Sequence, residues 1–299
     1  MNKGIKPIII LILFFTVLLS FIVNINLSSN IEKMYNNKMT ELEKCLKNNI
    51  NVTVDYKHYC EYLEQSKEIK VDFYTSFANL LIFDIKFLNP IAILFIIIPS
   101  LIIPSRILKN KYLLNANNRM NYNDFKRHFF KEAYKFFWIL PIIALIIIVP
   151  ITFYSTFDLA YSTEFGFTYW SSPIVNKPLL FIILYLLNLS IYSIIFVNLG
   201  LIVLRKNHNY IISIILTYIF YIIIELFFEL IINLYILVPI FNTEFGYILN
   251  IMNLFLFSDQ FGILNLFIFD IVCLAISSFC VYISYKNKEK LIIECEKNQ

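Results

Sequence analysis

The chain has 299 residues, 59% of them hydrophobic and 15% charged, with a net charge of +4. No water-soluble globular domain carries that balance, and the small net charge makes the placement of charges more informative than their sum. The composition points to an all-α membrane protein and leaves no basis for a nucleic-acid partner.

In chain order, apolar runs of 18 or more residues read as transmembrane helices. The first, Pro7–Ile25, follows "MNKGIK" and resembles a signal peptide in its charge and onset. It is too long for an ordinary signal core, and "FIVNINLSSN" lacks a small-residue cleavage pattern, so it reads as an uncleaved first span. The Leu27–Phe77 loop that follows is rich in charge but balanced between acids and bases. Within it "IEKMYNNKMTELEKCLKNN" reads as a helix, with Glu41/Cys45 and Leu42/Leu46 at i,i+4 spacing. The loop forms a small extracytoplasmic subdomain, too short for a core of its own. Cys45 and Cys60 lie in it, and a disulfide and two unpaired thiols are both open readings. The five cysteines show no CxxC and no Cys/His ligand spacing, so no metal site is expected. Cys273 and Cys280 sit in an apolar run, as small hydrophobes do.

Five further spans follow at about Phe87–Pro104, Phe136–Phe153, Pro178–Leu204, Tyr210–Val238 and Ile263–Tyr285, making six in a single transmembrane domain over residues 1–299. Their orientation follows from lysine and arginine placement. The Arg106–Lys135 loop carries Arg106, Lys109, Lys111, Arg119, Lys126, Arg127, Lys131 and Lys135 against Asp124 and Glu132. The "RKNHN" turn, Arg205–Asn209, and the tail "YKNKEKLIIECEKNQ" are also basic, whereas Asp158–Lys177 and Pro239–Gly262 are acidic or nearly uncharged. Both ends and the basic loop are therefore expected in the cytoplasm, and Leu27–Phe77 outside. The Ile/Asn/Lys-rich usage hints at an AT-rich bacterial genome, hence a bacterial plasma membrane.

The most charged piece is "NRMNYNDFKRHFFKEAYKFF", Asn118–Phe137. At about 100° per residue, Tyr122, Phe125, Phe129, Phe130, Ala133, Tyr134, Phe136 and Phe137 share one half of the helical wheel. Asp124, Arg127, His128, Lys131, Glu132 and Lys135 share the other, and only Lys126 breaks the division. Asn123 is placed to cap the start, and Asp124 suits the positive end of the helix dipole. Two readings are open. One is an interfacial helix with its aromatics in the acyl boundary and its cations among anionic lipid headgroups. The other is a docking helix that passes force from a cytoplasmic partner into the third span. It runs into Phe136 with no Gly or Pro break, so a push would travel directly, and Arg205–Asn209 offers a second contact.

Four ionisable residues fall in or near the spans: Asp84, Glu225, Glu229 and Asp270. Asp84 is placed to pair with Lys86. Glu225 and Glu229 share a helix face in "YIIIELFFEL", with Glu225 about 22 Å from Tyr210, and Asp270 about 10 Å inward from the far end of its span. Such carboxylates mark function by default, because lipid burial of charge is costly. They could line an outward vestibule for a cationic substrate, or sit protonated or bonded to Ser, Asn or Tyr on neighbouring helices. Asn188, Asn198 and Asn233 read as interhelical hydrogen-bonding residues.

Six spans, a basic loop between the second and third, a minimal "RKNHN" turn between the fourth and fifth, and the half-apolar "FNTEFGYILNIMNLFLFSDQFG" before the sixth together resemble an ABC-2 type permease, the transmembrane subunit of certain ATP-driven exporters. The resemblance covers nearly the whole chain and rests on architecture. It implies that Asn123–Lys135, with Asn123, Asp124, Phe125, Arg127, His128, Phe129, Lys131, Glu132 and Lys135, is the coupling helix docking on the ATPase. Arg205 and Lys206 would add a second contact, and Phe241–Phe261 would re-enter the membrane from outside. It also implies a second permease copy or a paralogue as partner. The long first outer loop and the short stretch before Pro7 depart from the plain family pattern; enlarged outer loops occur among bacteriocin and lantibiotic export or immunity permeases. Only five glycines and no GxxxxGK[ST] are present, so ATP and Mg belong to a separate ATPase chain, with no cofactor and no catalytic residue here. Two other classes stand beside transport. A sensor or immunity protein would bind its ligand through Leu27–Phe77. An intramembrane enzyme would use Glu225 and Glu229, but His58, His128 and His208 all lie in loops.

Overall fold

The structure, a computed structural model, describes residues 5–47, 60–61, 63–64, 88–109, 121–154, 178–241 and 263–297. Every regular element among them is helical: α1 (Lys6–Lys47), α2 (Leu88–Lys109), α3 (Tyr122–Ala133), a 3-10 turn (Tyr134–Phe136), α4 (Ile139–Tyr154), α5 (Pro178–Asn207), α6 (Tyr210–Leu226), a π-helical continuation (Phe227–Phe241), α7 (Ile263–Ser284) and α8 (Lys288–Lys297). Five helical stretches are long and apolar enough to cross a membrane, and α1 carries a shorter apolar stretch, Lys6–Ile22. The chain is a multi-pass membrane protein, all-α among the described residues. Asn51, His58, Asp84, Lys86, the 158–177 segment and the re-entrant element expected after Phe241 lie outside the described residues.

Helix α5 is the hub. Tyr185, Leu189, Phe196, Val197, Leu201 and Leu204 are buried along it, and α2, α4, α6 and α7 all pack against it. Gly200 makes the closest approach: a Cβ there would meet Leu101 Cδ1 of α2 at 3.0 Å. Small residues serve membrane helices in this way, because no hydrophobic effect drives helices together in lipid and close van der Waals contact must substitute. Helix α1 packs chiefly on α4, where Ser20 Oγ donates to the Ile146 carbonyl at 2.9 Å. Large apolar side chains on α6 and α7, such as Ile211, Ile215, Ile223, Ile276 and Phe279, point away from the bundle.

Three boundaries differ from the sequence expectations. First, α1 does not stop near Ile25. It runs unbroken for 42 residues, about 63 Å at 1.5 Å per residue, twice the roughly 30 Å of a membrane's apolar core. No Gly or Pro follows Pro7 within it, so nothing ends the helix where hydropathy ends the span. Second, the docking segment does not continue smoothly into the third span. A 3-10 turn and two turn residues separate α3 from α4. Pro141 supplies the reason: it has no N–H to offer the Phe137 carbonyl and its ring crowds that carbonyl, so it is tolerated only in the first turn of a new helix. Third, α3 starts at Tyr122, with extended Asn121 preceding it as N-cap residue, so Asn123 lies inside the helix rather than capping it. Pro99 and Pro104 lie inside α2, and Pro150 inside α4.

Helix α6 is polar on its inner face. Ser213, Thr217, Tyr221 and Glu225 are all buried, at every fourth position. The same step continues through Glu229 and Asn233 in the π-helical continuation, where Asn233 is buried and Glu229 half-buried. In an α-helix a four-residue step overshoots a full turn, so a row of this period drifts round the helix. The wider i→i+5 turn makes each such step fall short instead. Switching geometry after Leu226 therefore steers the row back toward the bundle.

Candidate functional site

Helix α3 divides cleanly. Phe125, Phe129 and Ala133 are buried, and Tyr122, Phe130 and Tyr134 pack against the same core. The Phe129 ring stacks with Phe125 at 5.9 Å and lies 5.2 Å from Tyr285, centroid to centroid; Phe130 meets Tyr285 edge-on at 5.5 Å. Tyr122 donates its hydroxyl to the Tyr285 carbonyl at 2.6 Å. Tyr134 donates to Asn198 Oδ1, while Asn198 Nδ2 donates to Ser277 Oγ at 3.0 Å and Ser278 Oγ at 3.1 Å. The aromatic face is thus held by the protein's own bundle, packed on α2 and against Tyr285 just past α7, with Tyr134 of the 3-10 turn bonded to α5, and is not laid into an acyl boundary; Phe137 alone of the aromatic half is exposed. Asn198 thus bonds between helices, as expected.

The opposite face is open. Asn123, Asp124, Arg127, His128, Lys131 and Lys135 are exposed. Lys135 lies 3.5 Å from Glu132, and Lys126, off the polar half by position, covers the Tyr122 ring at 5.0 Å. Among the described residues Arg127 and Lys131 have no ion-pair partner. Like charges at i,i+4 repel and weaken a helix by a few tenths of a kcal/mol. Here the repulsion is borne by a helix already fixed through its other face.

The "RKNHN" turn behaves differently. Arg205 is turned inward, with its side chain 6% exposed; it pairs with Glu294 of α8 at 3.1 Å and lies over the Tyr285 ring at 5.7 Å. Its charge is committed to the fold, so of the two cations expected to form a second docking contact only Lys206 is exposed. Tyr285 thereby joins α3, α5 and α8: its ring meets Phe129 and Arg205, and its hydroxyl donates to the Leu201 carbonyl at 2.9 Å. Neither Tyr285 nor Glu294 stood out in the sequence. Both occur in a short, ordinary-looking basic tail, and no periodicity marks a residue whose partners lie tens of residues away.

His208 closes the turn with φ 50, the left-handed region, and is buried. Asn209 then caps α6, its Oδ1 accepting from Ile211 N at 3.1 Å. Burial holds the His208 pKa below its ordinary value, and the nearby Arg205 charge acts in the same direction; the contact of Nε2 with the Arg205 carbonyl, 2.9 Å, and the Glu294 charge oppose it in part. The unfolded chain therefore takes up this proton more readily than the folded one, so stability is lost as pH falls below about 6.5. His208→Asn, which tolerates the left-handed backbone and does not titrate, is expected to shrink the drop in thermal midpoint between pH 7.5 and pH 5.5. An unchanged drop in that comparison would locate the acid sensitivity elsewhere.

The intramembrane acids gather between α5, α6 and α7. Asp270 is fully buried and Glu225 nearly so. Tyr192 of α5 and Tyr221 of α6 lie within electrostatic reach of Asp270, and Tyr221 also feels Glu225 and Glu229. Asn188 and Asn233 are buried on the same elements. A carboxylate in such a place is sustained by hydroxyl and amide neighbours, or by a cation that enters.

At the other end of α1, Cys45 and Cys60 are joined in a disulfide with Cα atoms 5.8 Å apart. They sit with Leu42 and Leu63 in a small apolar cluster separate from the main core. Comparison of the chain with family models, with curated proteins and with solved structures finds no match.

Proposed function

We propose that the chain is the membrane-embedded subunit of an ATP-driven exporter of the ABC-2 type, coupled through α3 to a separate ATPase. One observation carries the reading: α3 is anchored by aromatic contacts to the bundle, while Arg127 and Lys131 on its outer face meet no ion-pair partner among the described residues. A helix fixed on one side and basic on the other suits an acidic protein surface. Its packing on α2 and against Tyr285 offers a route for movement into the bundle despite the break at Tyr134–Phe136. In this reading α1 supplies a sixth span, the basic end faces the cytoplasm of a bacterial cell, and the functional unit is a dimer of permeases, alike or paralogous. The disulfide supports the orientation, since such bonds persist on the oxidising side. Glu225, Glu229 and Asp270, with the buried polar row of α6, suit a path for a cationic substrate such as a basic peptide.

The test is recovery of tagged protein from its own host in mild detergent. A P-loop ATPase is expected in stoichiometric amount, and its loss on Arg127→Glu with Lys131→Glu, with insertion and thermal stability unchanged. Well-folded wild-type protein recovered without an ATPase would overturn the reading.

A second reading has support of its own. The extension of α1 beyond one membrane thickness, tied by Cys45–Cys60, suits a sensor or immunity protein binding a ligand outside. Replacing residues 31–77 by a short linker separates the two, since a transporter should keep its ATPase and a sensor should lose its response.

A further inference from the structure

At the end of the bundle that bears α3 and α8, a cavity of about 500 Å³ opens between the start of α1, the last turns of α2 and the turn into α6. Arg106 and Lys109 stand on its rim, one helical turn apart at the C-terminal end of α2, and both are exposed. Among the described residues no acidic side chain lines it. Asn209 contributes a further polar group: its Oδ1 is occupied by the α6 cap, and its amide NH₂ is the remaining donor. Ile8, Ile102 and Ile211 supply the apolar part of the lining, and Ser105, His208 and Tyr210 complete it.

We propose that this cavity binds the headgroup of an anionic phospholipid. Two cations and an amide donor around a space of this size suit a phosphodiester. The helices that form the cavity run directly into the membrane, which places it at headgroup level. From its mouth Ile211 and Ile215 continue along α6 as an outward apolar stripe, exposed by 64% and 53%. An acyl chain would follow that stripe, whereas a free anion would gain nothing from it. Basic pockets between membrane helices at the positively charged end are the usual recognition device for such lipids. The site is independent of α3, so it stands or falls apart from the ATPase reading.

The experiment uses the full-length protein in mild detergent. Thermal unfolding is followed during titration with phosphatidylglycerol, phosphatidylcholine or inorganic phosphate, and lipid retention is read by native mass spectrometry. Phosphatidylglycerol is expected to raise the midpoint and remain bound, with neither other ligand doing so. Arg106→Gln with Lys109→Gln is expected to weaken the half-saturating lipid concentration about thirtyfold, and Lys109→Gln alone, which serves should the double variant not fold, about fivefold. Exchanging the cations, Arg106→Lys with Lys109→Arg, should preserve binding. An equal response to phosphatidylcholine, an undiminished response in both glutamine variants, or full reproduction of the effect by phosphate alone would each overturn the proposal.

Discussion

Phe129→Ala is expected to detach α3 from the bundle and to destabilise the protein by about 3–5 kcal/mol, the range for removing a fully buried aromatic ring. Phe129 is 1% exposed and has ring contacts on three sides, with Phe125, Phe130 and Tyr285. Aromatic pairs add about 0.5–1.5 kcal/mol each beyond their buried area, and all three end together. The Tyr285 ring would also lose one of its three neighbours, keeping Phe130 and Arg205. The check is an unfolding titration in mild detergent, with labelling of a cysteine placed at Phe125 as a local probe. Faster labelling with little change in global unfolding would show α3 as a separable unit. No change in either would sink the anchoring argument, and the proposed coupling with it. Arg127→Glu with Lys131→Glu provides the contrast, because it alters the open face and should leave both readouts alone.

The second large effect is expected at Asn198. Its side chain joins the 3-10 turn, α5 and α7, accepting from Tyr134 and donating to Ser277 and Ser278. Asn198 is fully buried. Hydrogen bonds between membrane helices are individually modest, about 0.6 kcal/mol on average and up to about 1.7. Asn198→Ala ends three at once and leaves the Tyr134 hydroxyl in an apolar setting, so about 2–4 kcal/mol is expected. Tyr134→Phe should cost about 1 kcal/mol, and much less than that when added to Asn198→Ala, because the shared bond is already gone. Fully additive losses in the double variant would mean that the two residues do not act through each other.

How much of this was legible before the structure depends on the range over which each signal acts. The amphipathic wheel of α3 is local: it put Phe129 on one face and the cations Arg127 and Lys131 on the other, as they stand in the structure, but it did not tell that Phe125 and Phe129 are buried in the bundle. What buried the aromatic face was not local: Tyr285 lies 163 residues beyond Tyr122, and nothing in "SYKNKEK" distinguishes it. Hydropathy located the apolar runs well but could not say where helices end. It marked the limit of the lipid, and α1 continues past that limit because polar residues without Gly or Pro are still compatible with a helix. Conversely, the docking segment was read as running into the third span without a break, and the helix break that Pro141 imposes on the preceding turn was overlooked.

Composition and pattern alone therefore determined the solvent in which this protein lives, the helical class and the two faces of α3, since each follows from the burial preference of neighbouring residues. The tertiary structure alone decided which charges are available. Arg205 and Arg127 look alike in sequence, both basic and both next to an apolar span. Arg205 is drawn inward because α8 brings Glu294 and α7 leads to Tyr285 at the same point, whereas Arg127 meets no such partner among the described residues. A charge is committed or free according to what the fold places within a few ångströms of it, and that distance is written in no local stretch of the chain.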